Sequence, residues 1–90
     1  MIMQIKVKVN TITLQNFAQQ LMMNQLDRSA IIGETYCEKD DPTIGISYWE
    51  VENMEEFEEK FTPWKQFYES CEVKEVITAK AAIMKLFSAK

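Results

Sequence analysis

An alternation of apolar and polar residues near the start of the chain constrains the fold most. Over residues 3–9 every second residue is apolar, with glutamine or lysine between. A period of two places successive side chains on opposite faces of a β-strand, so this segment predicts a strand with one buried face. The lysines inside the run also argue against a signal peptide.

A helix and a hairpin are predicted next. Apolar residues at helical spacing predict a helix from residue 13 to about residue 26, and Thr13 can cap its start. Residues 30–38 and 44–51 are rich in β-branched and aromatic side chains and flank a turn that contains proline. These two segments predict paired strands.

The remaining residues predict a helix, a strand and a terminal helix. Asn53 and Glu56 have the spacing of a reciprocal capping pattern at the start of the second helix, which Pro63 is expected to kink or restart. Residues 71–78 alternate again and predict the fourth strand. Thr78 can then cap a short last helix.

This order of elements predicts a fold in the α+β class. Strand, helix, strand, strand, helix and strand in succession are typical of a ferredoxin-like βαββαβ sandwich, in which two helices cover one face of an antiparallel sheet. The last helix is an addition at the C-terminus. A chain of 90 residues is long enough for one core only, so a single domain is expected over residues 1–90.

The uncovered face of this sheet is predicted to hold apolar and charged side chains together. Carboxylates are costly to bury, so the residues that share their parity should point away from the helices. Their apolar area would be larger than a monomer usually exposes, which predicts a homodimer through the open face of the sheet. The candidate ligand or dimer face consists of Lys6, Lys8, Ile32, Glu34, Tyr36, Ile46, Tyr48 and Glu50. Alternatively, the two lysines pair with Glu34 and Glu50 across the strands, and these pairs only fix the register of the strands.

The helix-side face is predicted to combine small and aromatic residues. Gly33 and Gly45, the two glycines of the chain, fall on this side, and their lack of a side chain makes room. Aromatic residues can lie over that hollow as core, although a ligand site in the same place is the alternative. The candidate aromatic core consists of Phe17, Trp49, Phe57, Phe61 and Trp64.

Composition excludes several functional classes. The net charge is −4 and no run of lysine or arginine occurs, so we expect no nucleic-acid partner. No apolar stretch approaches the roughly 18 residues of a membrane span, and a cytoplasmic location is expected. Histidine is absent, which removes the commonest general base and metal ligand. Cys37 and Cys71 are expected to be reduced and packed.

The second half of the chain resembles a known family. The segment "FEEKFTPWKQFYESCEVKEVITAKAA" is similar to a family of uncharacterised small bacterial and archaeal domains in the dimeric α/β barrel superfamily. Phe57, Trp64, Glu72 and Val76 match its pattern, and Glu75 stands where the family has proline. The resemblance implies a dimeric α/β barrel. It implies no settled activity.

Other members of that superfamily are cofactor-independent monooxygenases and haem-degrading enzymes. The haem enzymes use an asparagine, a tryptophan and a histidine, and Asn10 and Trp64 fit the first two roles only. Without histidine no axial ligand for haem can be identified, so no cofactor is expected.

Two functions remain open at this point. The first is a non-enzymatic homodimer whose cavity, between sheet and helices or between two sheets, holds a small amphipathic molecule. The alternative is a cofactor-independent monooxygenase or isomerase acting on an aromatic or polyketide-like substrate, with Glu34 or Glu50 as a desolvated base. No catalytic or metal-binding residue is assigned. The acidic residues Glu38, Asp40 and Asp41 are interpreted as a solvated turn, and a nucleophilic cysteine lacks a neighbouring base.

Overall fold

The computed structural model describes residues 1–88 and contains the predicted elements in the predicted order. The C-terminal limit of the expected domain, residue 90, lies outside the described residues. The βαββαβ arrangement with an additional C-terminal helix confirms the predicted α+β, ferredoxin-like fold. The elements are β1 (Ile2–Val9), α1 (Leu14–Met22), β2 (Ile31–Cys37), β3 (Ile44–Glu50), α2 (Met54–Lys65), β4 (Tyr68–Val76) and α3 (Ala79–Ser88).

The four strands form one sheet in the order β2-β3-β1-β4. Every neighbouring pair is antiparallel, as predicted. The central strand β1 aligns Met3 with Trp49 and Ile5 with Ser47 of β3, while its other edge pairs with β4. The alternation in β1 therefore places Met3 and Ile5 on the helix side, where both are buried.

Strand β2 is irregular at its centre. Ile32 pairs with Tyr48, but the next pair along is Tyr36 with Ile46, so β2 uses four positions where β3 uses two. Gly33 lies in this irregular segment with φ at +67°, a left-handed conformation that glycine adopts without steric cost. Gly33 is exposed there and does not belong to the hollow that the sequence predicted.

Helix α1 is shorter than predicted. It ends at Met22 rather than near residue 26, because Asn24 takes a left-handed backbone conformation with φ at 55°. Leu26 then enters the core, where it is buried. The predicted cap at the start is also wrong: the hydroxyl of Thr13 donates to the carbonyl oxygen of Asn10 and makes no bond to the helix.

Helix α2 begins at the predicted cap. The side-chain oxygen of Asn53 accepts from the backbone N–H of Glu56 at 2.8 Å. The carboxylate of Glu56 accepts from the N–H of Glu52 at 2.9 Å, one residue before the expected partner. The helix continues through Pro63 and ends at Lys65, so it does not restart at the proline.

The core lies between the sheet and α2, and Trp49 is at its centre. This indole meets Phe57, Phe61 and Trp64 edge to face, with ring centroids 6.0, 5.4 and 5.6 Å apart. Edge-to-face pairs stabilise by about 0.5–1.5 kcal/mol each beyond the burial of their area. All four side chains are buried, and Phe17 of α1 packs half-buried against them.

Helix α3 extends from the end of β4. The hydroxyl oxygen of Thr78 accepts from the N–H of Ala81 at 3.1 Å, which is the predicted cap. No described residue of α3 is buried, and its apolar side chains Ile83, Met84 and Leu86 are all exposed.

Candidate functional site

The strongest candidate site is an apolar cavity of about 290 Å³ between α1 and the helix-side face of the sheet. Phe17 and Leu21 of α1 form one wall, and the buried rings of Trp49 and Trp64 contribute another. The hydrocarbon side chains Val7, Val9 and Ile31 complete the apolar lining. A space of this kind favours a ligand with an apolar or aromatic body.

Small residues on the sheet create this space. Gly45 is buried in β3, and a methyl group there would meet the side chain of Val7 at 3.7 Å, in ordinary contact. Ser47 is two residues on, and its hydroxyl oxygen accepts from the indole N–H of Trp49 at 3.0 Å. Because both residues are small, the sheet surface beneath α1 stays open. The cavity lies on the side of the sheet where the sequence predicted room.

Few polar groups line the cavity. Thr35 and Ser47 offer hydroxyl groups from the sheet, and Tyr68 brings a phenol from the start of β4. Burial raises the pKa of Tyr68, so its phenol is a neutral hydrogen-bonding group at ordinary pH. Arg28 contributes the ionised group of the lining, and its Nη2 donates to the carbonyl oxygen of Leu21 at 2.7 Å.

The opposite face of the sheet holds the residues that the sequence assigned to a ligand or dimer face. Lys6 aligns with Ile46, which aligns in turn with Tyr36. Tyr48 aligns with Ile32 and its hydroxyl oxygen accepts from the Gln4 amide at 3.2 Å. Lys8 aligns with Ile44. The structure thus brings the lysines, tyrosines and isoleucines of the candidate face together across three strands.

The two glutamates of that face lie apart from its lysines. Glu50 is at the end of β3 opposite Ile2, and Glu34 is in the irregular part of β2. The alternative in which the lysines pair with these glutamates is wrong for Lys6, whose ammonium lies 3.6 Å from the carboxylate of Glu38. Both Glu34 and Glu50 are exposed on the single chain.

The cysteines are exposed, which corrects the prediction that they are packed. Cys37, Gly45, Val7 and Cys71 form one row across the sheet, so the two thiols are on opposite edges. Three strand spacings amount to about 14 Å, well beyond the reach of a disulfide. Desolvation raises the pKa of the Cys71 thiol, and the nearby Lys65 charge opposes this only in part. The Cys71 thiol is therefore not activated as a nucleophile.

The acidic turn between β2 and β3 has a structural role. The carboxylate of Asp41 accepts from the hydroxyl and the backbone N–H of Thr43, which closes the turn. Within residues 1–88, no group of three or more cysteine, aspartate or glutamate side chains is arranged to hold a metal ion. No helix in the same range is long and apolar enough to cross a membrane.

The architecture is similar to that of one characterised enzyme. The solved structure of 5-chloro-2-hydroxyhydroquinone dehydrochlorinase from Burkholderia phenoliruptrix AC1100, in complex with 2,5-dihydroxybenzoquinone, superposes with a TM-score of 0.54. The match covers 90% of this chain and 98% of that one at 18% sequence identity. The two chains therefore share an α+β fold. At such low identity the likeness extends to the fold alone.

Two further comparisons gave no match. No protein-family model matches the sequence, and no curated protein is a detectable relative. Membership of the family of uncharacterised small domains therefore remains a prediction.

Sequence patterns missed several residues that line the cavity. Arg28 lies in the connection between α1 and β2, and Tyr68 begins β4 three residues before the predicted strand. Leu21 of α1 also lines the cavity. No local spacing marks these residues, because the connection and the strand meet the helix only in the folded chain. The unusual mixture of small and aromatic side chains in β3 was the one available signal.

Proposed function

We propose that this chain is a single-domain, small-molecule-binding protein that functions as a homodimer. Its ligand is a small aromatic compound held in the cavity beneath α1. The observation that carries this proposal is the cavity itself, whose walls are aromatic and aliphatic and whose polar groups are few. Such a combination is typical of ligand sites, in which apolar walls supply affinity and a few polar groups orient the ligand.

The size of the cavity limits the ligand. At about 290 Å³ it is at the lower end of the roughly 300–1,000 Å³ range of ligand pockets. A compound with one substituted ring fits this volume better than a polyketide. The similar dehydrochlorinase was solved with a single-ring quinone, which supports the choice of quinones and hydroquinones as the first compounds to test.

The homodimer in this proposal forms through the open face of the sheet. On one chain Tyr36 is 65% exposed and Ile32 is 36% exposed, next to the partly exposed Ile46. Pairing two copies of this face would bury their apolar area, which stabilises by about 25 cal/mol per Å². A two-fold interface of this kind uses the same patch on both subunits. The dimeric α/β barrel superfamily supports the same arrangement.

Helix α3 supplies a second reason for a partner of the same sequence. Its exposed apolar side chains Ile83, Met84 and Leu86 need a cover that the rest of the chain does not provide. Lys80 and Lys85 make this helix basic, whereas all 14 acidic residues of the protein precede it. A second copy therefore presents an acidic surface to a basic, apolar helix, so we place α3 against the partner subunit.

The alternative function, a cofactor-independent monooxygenase or isomerase, has less support. A carboxylate base that works near neutral pH must be desolvated, and Glu34 and Glu50 are exposed on the single chain. The unactivated Cys71 thiol does not supply another nucleophile.

The proposal of a ligand-binding homodimer also includes a cytoplasmic location and membership of the family of uncharacterised small domains.

Ligand binding is tested by thermal unfolding with a panel of quinones, hydroquinones and substituted benzenes. A ligand at 100 times its dissociation constant stabilises by about 2.7 kcal/mol, which raises the melting temperature by several degrees in a domain of this size. Gly45→Val, whose side chain projects into the cavity, should abolish the shift. Shifts of equal size in both proteins would place the ligand elsewhere, and no shift in either would overturn the proposal. Oxygen uptake with any ligand that binds would instead favour a monooxygenase.

The dimer is tested by light scattering. Wild type should have twice the 10.6 kDa mass of one chain. Ile46→Lys places a charge in the centre of the proposed interface and should yield a monomer. Met22→Lys, at an 85% exposed position on α1, is the matched control and should stay dimeric. A monomeric wild type at micromolar concentration contradicts the dimer.

A further inference from the structure

The charge of the cavity lining points to the class of ligand. Among the residues that line it, Arg28 is the one with a permanent charge, and no aspartate or glutamate is present. An apolar space bordered by an unneutralised guanidinium disfavours cations and favours anions. Neutral aromatic compounds gain less from this charge, because they offer only uncharged acceptors or a ring face to the guanidinium.

Arg28 is held in place by the helix beside it. Its Nη2 donates to the carbonyl oxygen of Leu21 at 2.7 Å, near the C-terminal end of α1. A guanidinium has five N–H donors in a planar fork, so this bond leaves donors available for a carboxylate or a phenolate. The contact thus holds the fork of this exposed side chain at the rim of the cavity.

The neighbouring acidic residue does not neutralise Arg28. The carboxylate of Asp27 accepts from the N–H of Ser29 at 2.8 Å. Hydrogen bonds from Ser29 hold the pKa of Asp27 below its usual range, with a small further contribution from Lys60. In the part of the chain that the structure describes, the ion pairs are Lys6 with Glu38 and Lys60 with Glu56, and neither involves Arg28.

Arg28 also lies beside the C-terminal end of α1. The C-terminal end of a helix carries a partial negative charge on its unpaired carbonyl groups, which repels anions. Arg28 sits at that end and offsets the repulsion.

We propose that the cavity selects small aromatic anions, carboxylates or phenolates, whose negative group is bound by the guanidinium of Arg28. This inference rests on the proposed function, because it specifies the ligand of the same cavity. The aromatic body of the ligand lies among Phe17, Trp49 and Trp64, and the anionic group lies at the edge with Arg28. A hydrogen bond between two charged groups is stronger than one between neutral groups. The expected affinity for an anionic ligand is therefore about 10- to 100-fold higher than for a neutral isostere.

The experiment compares 4-chlorobenzoate with its neutral isostere 4-chlorobenzamide by titration calorimetry at low and high salt. Wild type should bind the carboxylate about 10- to 100-fold more tightly, and added salt should weaken only that compound. Arg28→Gln should remove the preference, and Arg28→Lys should keep part of it. Lys39→Gln, at an exposed position in the β2–β3 turn, changes the net charge equally and should behave as wild type.

The outcomes separate the two proposals. Equal affinity for both compounds in wild type, or a preference that survives in Arg28→Gln, overturns the role of Arg28 and leaves ligand binding in place. If neither of these compounds binds and no quinone binds either, both proposals are overturned. If Arg28 only caps the helix, Arg28→Gln should be less stable than wild type but should show the same preference for the carboxylate. If Arg28→Gln does not fold, a carboxylate affinity of wild type that is insensitive to salt is enough to overturn the inference.

Discussion

The indole N–H of Trp64 donates a hydrogen bond to the backbone carbonyl oxygen of Asp27, with 3.3 Å between the two atoms. This bond joins α2 to the connection that carries Arg28, across 37 residues of sequence. The indole is buried at the same time, so one side chain belongs to the core, lines the cavity and holds the connection. The stability of the core and the shape of the cavity are therefore coupled at Trp64.

Substitutions at Trp64 should separate the contribution of the buried ring to stability from that of the hydrogen bond. Trp64→Ala removes a buried ring and should lower the free energy of unfolding by about 3–5 kcal/mol. Trp64→Phe keeps most of the apolar contact but loses the hydrogen bond, for which we expect about 1 kcal/mol. Urea unfolding measures both. Equal losses in the two variants would mean that the hydrogen bond dominates, contrary to this reasoning.

The two glycines should respond in opposite directions to alanine. Gly33 has a φ of +67°, where an L side chain is strained, so Gly33→Ala should destabilise by about 1–2 kcal/mol. At Gly45 the added methyl group fits in ordinary contact, so Gly45→Ala should be neutral or stabilise by up to about 1 kcal/mol. Urea unfolding of both variants beside wild type tests this pair. A destabilised Gly45→Ala would show that the sheet beneath the cavity cannot accept a side chain.

The Cys71 thiol should react slowly at neutral pH. Desolvation raises its pKa above the ordinary value of 9.0, and only the thiolate is alkylated. In the Cys37→Ser variant, where Cys71 is the remaining thiol, alkylation by iodoacetamide should increase with pH until beyond pH 9. An inflection below pH 8 would contradict the raised pKa of this thiol.

Acid should weaken the β2–β3 turn through Asp41. Hydrogen bonds from Thr43 hold the folded pKa of Asp41 below its ordinary value of 3.8. The charged carboxylate thus stabilises the fold above that pH, and this contribution is lost as pH falls through the folded pKa. Asp41→Asn should therefore show a smaller decrease of stability between pH 5 and pH 2 than wild type, whereas Asp40→Asn in the same turn serves as the control. Identical pH profiles for Asp41→Asn and wild type would exclude this role.

Strand periodicity carried most of the fold prediction. The alternation in β1, together with the β-branched and aromatic residues on either side of the proline-containing turn, located three strands within one or two residues. The ends of the helices were harder to predict from the sequence. The end of α1 depends on the left-handed Asn24 and on burial of Leu26, and both follow from packing rather than from helical spacing.

The candidate site could be predicted only in part. Small and aromatic residues in β3 indicated room on the helix side, since the composition of one strand is local. The pairing of Lys6 with Glu38 depends on strand register, which changes at the irregular segment around Gly33. Arg28 and Tyr68 reach the cavity from separate parts of the chain, so no short pattern includes them.

By itself, the sequence determined the order of elements and which side chains of β1 and β3 face the helices, because backbone geometry converts a period of two into two faces. The tertiary structure decided that a cavity remains beside Trp49 and that Arg28 borders it. Both depend on where α1 ends and how far it lies from the sheet, distances that are set by the packing of residues remote in sequence.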